Sequence, residues 1–448
     1  MNNWSSVNRL RRRSALKGAL ALAGGSLLSG SPFTALAASS KQAVGNYPAG
    51  VKGDSAFVGI VVPLTGPYSS EGNDERRGYE LAIEQLNSGA EEIRKISPLT
   101  KKGVLGKTIK FGVADGETKP NSAIAAATRF VNENRAIMVT GAVSSSVSVA
   151  LGHFLSREKT LFIANFGSSN DVTGKDCQRY AFRLLCSAYA IAKAVAPAAA
   201  ERLGHSRKAV YLVPDYTYGH TLYESTRKFT EEEGWETVGV QFHPLGATDY
   251  SSYLINIANS GADTFVNCDY GGDATNSVKQ AKQFGVLGKM KMVVPQLSPF
   301  LADAVGADVM QEVIGVLVYW WTLQEQYPQS RDFVSAFRKK YNDVPRGTAA
   351  LAYLNMALWA DAIERAGTFN PPDVIKAYEK QHKRDGLVGD VWFRAADHQG
   401  VFNFPVLQGK KPGNMKDPKD FYNILHTVSG QSVVQPRDLF GCRLGAYS

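Results

Sequence analysis

Histidine, cysteine and long apolar runs are scarce in this sequence. The seven histidines are scattered without the spacing that metal ligands need, so a metal site has little support. The best apolar run after residue 37, at residues 313–321, has about half of the ~20 residues needed to cross a bilayer. These absences disfavour a metalloenzyme and an integral membrane protein.

Motifs for nucleotide binding and nucleophilic catalysis are also missing. The loop after the apolar run at residues 57–62 supplies only Gly66, so there is no G-x-G-x-x-G. The segment GVLGKT at residues 103–108 has Lys101 where a phosphate-binding loop needs its first glycine. An S-x-x-K at residues 156–159 lacks its companion motifs, and no G-x-S-x-G occurs. No cofactor and no enzymatic reaction are therefore predicted.

The first 37 residues predict a cleaved export signal. Arg11, Arg12 and Arg13 precede a short apolar run at residues 19–28, and a small-x-small site ends at Ala37. The arginines followed by Leu16 and Lys17 favour the twin-arginine route, with an ordinary Sec leader as the alternative. The leader's five basic residues lower the net charge from +9 to +4, which argues against a nucleic-acid partner. A periplasmic location is expected.

Four cysteines remain in a chain predicted to enter an oxidising compartment. Cys177 and Cys186 lie nine residues apart and are predicted to form a local disulfide. Cys268 ends an apolar strand and is expected to be a buried thiol, while a Cys268–Cys442 bridge stays open.

Apolar runs alternate with helical stretches along the chain. Eight strands are predicted, at residues 57–62, 109–113, 137–139, 161–164, 209–213, 238–242, 264–268 and 290–294. Continuous apolar character indicates strands covered on both faces, and the rhythm is that of β-α-β units. The prediction is an α/β fold with two doubly wound Rossmann-like lobes, because four units precede and four follow RYAFRLLCS.

The remaining chain is divided between these lobes. Helices at 331–341 and 349–366 and a strand pair near 391–393 and 401–406 are predicted. The predicted ranges are 54–184 plus 323–380 for lobe 1, 187–320 plus 385–435 for lobe 2, and 436–448 for a tail.

Polar and aromatic side chains follow the predicted strands of both lobes. In lobe 1 they are Tyr68, Ser144, Ser145, Phe166 and Ser168, and in lobe 2 they are Asp215, Tyr216, Tyr218, Asp269, Tyr270, Asp273 and Gln296. Ligands of open parallel sheets bind at the carboxyl ends of the strands. Serine helix caps would explain either serine cluster alone, but together these residues predict a cleft for a small polar molecule.

Several segments resemble, in order, those of the periplasmic solute-binding proteins of ABC importers, in the branched-chain amino acid and amide group. They are VGIVVPLTGPYSSEG, RRGYELAIEQLN, GVLGKTIKFGVADGE, PDYTYG, YSSYLINIANSGAD and VGDVWFRAADHQG. The resemblance covers residues 57–404. It implies a type I periplasmic binding fold, a Venus flytrap of two lobes joined by three crossing strands. It also implies a monomer that delivers its solute to an ABC permease with a cytoplasmic ATPase.

Site roles are also implied by this resemblance. Ser145 and Ser168 would hold a ligand carboxylate, with Phe166 nearby, and Tyr218 would contact the ligand from the other lobe. A contact near Asp269 and Tyr270 is also implied.

Two positions depart from the family pattern. Gln296 stands where an acid normally meets the ligand ammonium, so that Asp269, Asp273 or Asp215 would have to substitute. Glu71 stands where binders of aliphatic ligands place an apolar or aromatic residue. An amino acid, an amide and an aromatic or organic acid all remain possible ligands.

Two other functions fit the same sequence. A ligand sensor of a signalling system would use the same fold but would bind a receptor. An exported α/β hydrolase or oxidoreductase is disfavoured by the missing motifs.

Overall fold

The computed structural model describes residues 53–447 and, ahead of them, Gly45. The predicted leader at residues 1–37 lies outside this described part of the chain. Among the described residues, no helix is long and apolar enough to span a bilayer.

Five parallel strands form the first sheet, in the order β2-β1-β3-β4-β5. They are β1 (Ser55–Val62), β2 (Thr108–Asp115), β3 (Met138–Gly141), β4 (Leu161–Ala164) and β5 (Ala181–Arg183). Every residue of β3 and β4 is buried, as expected for strands that are covered on both faces. The four strands predicted for the first lobe are all present.

Seven strands form the second sheet, in the order β15-β14-β10-β9-β8-β6-β7, and three more form a small antiparallel sheet. The strands are β6 (Lys208–Pro214), β7 (Glu236–His243), β8 (Thr264–Asn267), β9 (Lys291–Gln296), β10 (Ile314–Val316), β11 (Arg384–Gly386), β12 (Gly389–Phe393), β13 (Gly400–Phe402), β14 (Phe404–Gly409) and β15 (Tyr422–Val428). Strands β6 to β10 are parallel and repeat the order of the first sheet, whereas β14 and β15 are antiparallel. The prediction of two doubly wound α/β lobes is confirmed.

Fifteen α-helices connect and cover the strands in the described part of the chain. They are α1 (Ser69–Ser88), α2 (Glu91–Arg94), α3 (Pro120–Asn132), α4 (Ser145–Arg157), α5 (Ala188–Leu203), α6 (Thr217–Glu232), α7 (Ser251–Ala258), α8 (Gly271–Gln283), α9 (Val286–Lys289), α10 (Leu301–Val305), α11 (Ala307–Met310), α12 (Pro328–Tyr341), α13 (Gly347–Ala366), α14 (Pro371–Glu379) and α15 (Gly430–Val433). Helix α13 packs on α1 so closely that a Cβ on Gly78 would lie 2.2 Å from the carbonyl oxygen of Ala349. Helix α5 packs on β9 and β10.

The chain passes between the two sheets at three places. It crosses after β5 into α5, returns after β10 towards α12, and crosses again between β13 and β14. The predicted strand pair near 391–393 and 401–406 is present as β12 and β13, but its second strand ends at Phe402. Pairing partners change at Asn403: β13 pairs with β12, and β14 with β10 and β15. The small sheet adjoins β5 through a parallel bridge between Arg183 and Gln399.

The predicted local disulfide between Cys177 and Cys186 was wrong. Cys177 is bonded to Cys442, 265 residues away in sequence, and Cys186 is a buried free thiol. The extended strand β5 separates Cys186 from Cys177 and takes Cys186 into the buried crossing segment, while the C-terminal tail brings Cys442 to Cys177. Cys268 is a buried free thiol, as predicted, which also rules out the Cys268–Cys442 bridge.

Candidate ligand-binding site

The carboxyl ends of both parallel sheets meet at a buried cavity with an empty volume of about 200 Å³. It is lined by Tyr68, Val143, Ser145, Phe166, Gly167, Ser168, Tyr216, Tyr218, Tyr270 and Gln296. The first six follow β1, β3 and β4, and the last four lie after β6, after β8 and at the end of β9. The structure thus brings together eight of the residues predicted to bind the ligand, while Glu71, Ser144 and Asp269 lie outside this wall.

The two serines expected to hold a carboxylate lie on the first-lobe side of the cavity. Ser145 is the first residue of α4, and its Oγ accepts a hydrogen bond from the Ser169 N–H at 3.1 Å. In that bond the Ser145 hydroxyl is the acceptor, so its hydrogen can still be donated to a ligand. Ser168 follows β4 and donates its hydroxyl across the cleft to Gln296 Oε1 at 2.6 Å.

A buried arginine, not predicted as a site residue, supports the Ser168 loop. Arg183 of β5 donates to the carbonyl oxygens of Gly167, at 3.2 Å, and of Ser169. It also donates to Thr173 Oγ1 at 2.6 Å and to Gln399 Oε1 at 2.9 Å. Burial lowers the pKa of Arg183 to about 10. The sequence signal for this supporting role was the position of Arg183 in the otherwise apolar stretch AFRLL.

Five aromatic side chains dominate the rest of the cavity wall. The Tyr68 and Tyr270 rings meet edge to face at 5.6 Å between centroids, and Phe166 and Tyr218 lie 6.3 and 6.4 Å from Tyr270. The Tyr68 hydroxyl is 2.7 Å from that of Tyr216, across the cleft. The hydroxyls of Tyr218 and Tyr270 are buried and have no hydrogen-bond partner. Burial raises the pKa of both phenols, which therefore keep their protons as donors.

Further bonds join the two lobes beside the cavity. The hydroxyls of Ser169 and Thr217 are 2.7 Å apart. Asn170 Nδ2 donates to Ser225 Oγ at 3.1 Å. The lobes are thus in direct contact around the cavity, and its wall is complete only when they meet.

Glu71 and Ser144 lie near the cavity but make other contacts. Glu71 is buried, and its Oε1 accepts a hydrogen bond from Ser298 Oγ of the second lobe at 2.6 Å. Burial raises the pKa of Glu71 to about 7, although the bond from Ser298 opposes the shift. Ser144 precedes α4, and its Oγ lies 3.0 Å from Ser146 Oγ.

The acids that follow the second-lobe strands contact other protein groups and do not line the cavity. Asp269 Oδ1 is 2.6 Å from His243 Nε2, and both side chains are fully buried. Burial alone would lower the pKa of His243, but the hydrogen bond and negative charge of Asp269 leave it raised.

The two other acids suggested as ammonium ligands also have partners. Asp273 accepts from the Gly246 N–H at 3.0 Å, and burial followed by the charge of Asp269 raises the pKa of Asp273 to about 7. Asp215 pairs with His220 at 2.8 Å on the surface. None of the predicted ammonium-binding acids therefore lies in the cavity wall.

A larger hollow lies elsewhere on the second lobe. It has an empty volume of about 1080 Å³ and is lined by residues such as Lys291 and Val313, at the amino ends of β9 and β10. Ligand sites of such sheets occur at the opposite end. The small cavity shared by both lobes is therefore the better candidate. Among the described residues, no group of three His, Cys, Asp or Glu side chains could hold a metal ion.

Comparison with known proteins agrees with this architecture. Residues 55–414 match a family model described as "Periplasmic binding protein". The Leu/Ile/Val-binding protein homolog 7 of Brucella abortus is 25% identical over 333 residues, which cover 71% of this chain and 79% of that protein.

Solved structures share the fold over most of both chains. An amino acid ABC transporter substrate-binding protein from Pseudomonas fluorescens has a TM-score of 0.77 and 24% identity, covering 87% of this chain and 98% of its own. A solute-binding protein of an ABC transporter from Rhodopseudomonas palustris, in complex with 3,4-dihydroxybenzoic acid, has a TM-score of 0.72 and 19% identity, covering 85% and 98%. The expected type I periplasmic binding fold is confirmed.

Proposed function

The chain belongs to the family of periplasmic binding proteins, and we propose that it captures a small polar solute in the inter-lobe cleft and delivers it to an ABC permease. The observation that carries this proposal is a cavity lined from the strand ends of both lobes. Two tyrosine hydroxyls buried there without partners, on Tyr218 and Tyr270, offer hydrogen bonds that a solute would accept. The relatives are named as binding proteins and not as enzymes, so we propose no reaction.

Opening and closing of the lobes would control access. Only about 10 Å³ of the cavity is open to a water-sized molecule, far below the ~300–1,000 Å³ of typical ligand pockets. A solute therefore enters by separating the lobes and replacing bonds such as Ser168–Gln296 and Tyr68–Tyr216. It favours the closed arrangement because only there do both walls contact it.

The residue roles of this proposal follow the geometry of the wall. Ser145 and Ser168 would bind an acidic group of the solute from the first lobe. Tyr218 and Tyr270 would contact it from the second lobe, with Tyr68, Phe166, Tyr216 and Gln296 completing the wall. Ser144, Glu71 and Asp269 would act indirectly, through neighbours that reach the cavity.

Location, partners and lobe limits complete the proposal. The chain would be exported to the periplasm after cleavage at residue 37 and would act as a monomer with a permease and its cytoplasmic ATPase. The three crossings would form a hinge between residues 54–184 plus 323–380 and residues 187–320 plus 385–435.

Calorimetry combined with small-angle scattering tests this function. A panel of amino acids, amides and organic acids would be titrated into the protein, and the radius of gyration would be measured with and without each binder. We expect at least one solute to bind one-to-one and to shift the lobes towards a more compact average. Absence of binding and compaction across the panel would contradict the proposal.

A further inference from the structure

We propose that the cleft selects a small aromatic carboxylate without an ammonium group, in preference to an α-amino acid. This inference rests on the proposed function, since it names the ligand class of the same cleft. It follows from what the cavity wall offers to each part of a ligand: its charge, its hydrogen-bonding atoms and its apolar body.

The wall has nothing to neutralise an ammonium. None of its ten residues is charged, and a buried cation without a paired acid is strongly disfavoured. Three acids near the wall have other partners: Asp269 bonds His243, Asp273 bonds the Gly246 N–H, and Glu71 bonds Ser298. Glu75 also lies near Tyr270 but outside the wall, and burial raises its pKa to about 8, so it holds a proton at neutral pH. At the end of β9, where a side chain reaches the cavity, stands the neutral amide of Gln296.

The same wall is rich in donors for a carboxylate. Tyr218 and Tyr270 are 3% and 4% exposed, and their hydroxyls have no partner. The Ser145 O–H adds a third donor, at the first residue of the 13-residue helix α4. Free N–H groups of a helix start and its positive dipole end stabilise an anion. A carboxylate can satisfy several of these donors at once.

The remaining surface suits a flat apolar body. The ring of Tyr270 lies 5.6 Å from that of Tyr68 and 6.3 Å from that of Phe166, measured between centroids. Rings at such spacings favour a further aromatic group in stacked or edge-to-face contact. A benzene ring carrying a carboxylate therefore matches both parts of the wall.

Matched ligand pairs separate the effect of the ammonium from that of size. Calorimetry would compare 3-phenylpropionate with L-phenylalanine, and 4-methylpentanoate with L-leucine, since each pair differs only in the α-ammonium. We expect 3-phenylpropionate to bind at least tenfold more tightly than L-phenylalanine, and more tightly than 4-methylpentanoate.

The outcomes of this test are distinct from failure of the proposed function. If L-phenylalanine binds as tightly as 3-phenylpropionate, or L-leucine as tightly as 4-methylpentanoate, the proposed ligand class is wrong. The same holds if the tightest binder in a broader panel carries an ammonium group. In either case a solute-binding role still stands. If no solute of the panel binds or compacts the protein, the proposed function fails, and this inference with it.

Variants of the wall test the assignment residue by residue. Gln296→Glu keeps the shape of the side chain but adds a negative charge. It should lower the affinity for 3-phenylpropionate at least tenfold and reduce the ratio of that affinity to the affinity for L-phenylalanine. Tyr218→Phe and Tyr270→Phe each remove one hydrogen-bond donor from the wall, and each should lower the affinity for 3-phenylpropionate by about tenfold.

A control comes from the same lobe. Tyr211→Phe removes a buried hydroxyl that bonds Thr230 away from the cavity, and it should leave the affinity unchanged. Unchanged affinity in Gln296→Glu and in both cavity tyrosine variants, with each variant folded by circular dichroism, would overturn the inference.

Discussion

The two walls of the cleft are built differently. On the first lobe, the Ser145 oxygen and the Ser168 loop are already bonded within the protein, and Arg183 fixes the loop from behind. On the second lobe, Tyr218 and Tyr270 are buried with unpartnered hydroxyls. The difference indicates that the first wall is prepared by the fold, whereas the second keeps hydrogen-bonding capacity for a ligand.

The buried acids of the two lobes differ in the opposite sense. On the first lobe, Glu75 of α1 is fully buried, and neither carboxylate oxygen makes a hydrogen bond of good geometry. On the second lobe, Asp269 lies against the imidazole of His243. The second-lobe acid is thus stabilised by a partner, while the first-lobe acid is costly to ionise.

Removing the disulfide should have the largest effect on stability, because the bond ties the C-terminal tail to the chain beside β5 of the first lobe. The double variant Cys177→Ser, Cys442→Ser should lose about 2–5 kcal/mol of unfolding free energy, near the upper end since the closed loop is long. Denaturant titration measures the loss. Reduced wild-type protein should show a similar loss, and a change below about 1 kcal/mol would contradict the expectation.

Replacing Arg183 should be the next largest change. Arg183→Met leaves the carbonyl oxygens of Gly167 and Ser169 buried without their donor, which should cost about 3 kcal/mol of stability and also weaken ligand binding. Arg129→Met, at an exposed position of α3, should stay within about 0.5 kcal/mol of wild type. Equal stability of the two variants would show that Arg183 does not support the wall.

Glu75 should make stability depend on pH. Burial raises its pKa from 4.5 to about 8 in the folded protein, so between these values the folded state holds a proton that the unfolded chain has released. Stability should therefore fall as pH rises through this window and level off above it. Glu71, with its pKa raised to about 7, adds to the same trend.

The variant Glu75→Gln separates this contribution. It should be more stable than wild type at pH 8, with a smaller gain at pH 5, in denaturant titrations at both values. The exposed Glu133→Gln should show no such difference. A wild-type stability that rises from pH 5 to pH 8 would contradict the assigned direction.

The smallest effect on stability is expected at the second wall. Tyr218→Phe removes a buried hydroxyl that has no partner, so the ligand-free protein should change by less than about 0.5 kcal/mol or become slightly more stable. Ser168→Ala should lose about 1 kcal/mol, because it breaks the bond to Gln296. Thermal unfolding of both variants compares the two walls directly, and a larger loss for Tyr218→Phe would reverse the comparison.

Much of the fold could be predicted because apolar runs and turns are local signals. The strand predicted at residues 161–164 has the bounds of β4, and Ser145 and Ser168, which follow neighbouring strands, line the same cavity. The cavity wall followed from the rule that parallel strands present their carboxyl ends together.

The features that could not be predicted depend on contacts between distant parts of the chain. The partner of Cys177 lies 265 residues away, and spacing alone favoured the nearer Cys186. The second-lobe acids follow their strands as expected, but whether Asp269 faces the cavity or His243 depends on side-chain orientation that no sequence pattern specifies. The hydrogen bonds from Arg183 to the Ser168 loop could not be predicted from the sequence for the same reason.

A crystal structure of the protein with its bound solute tests the central claim most directly. The account predicts one solute in the shared cavity, within hydrogen-bonding distance of Ser145 or Ser168 on one side and of Tyr218 or Tyr270 on the other. A solute that touches only one lobe, or that binds outside this cavity, would contradict it.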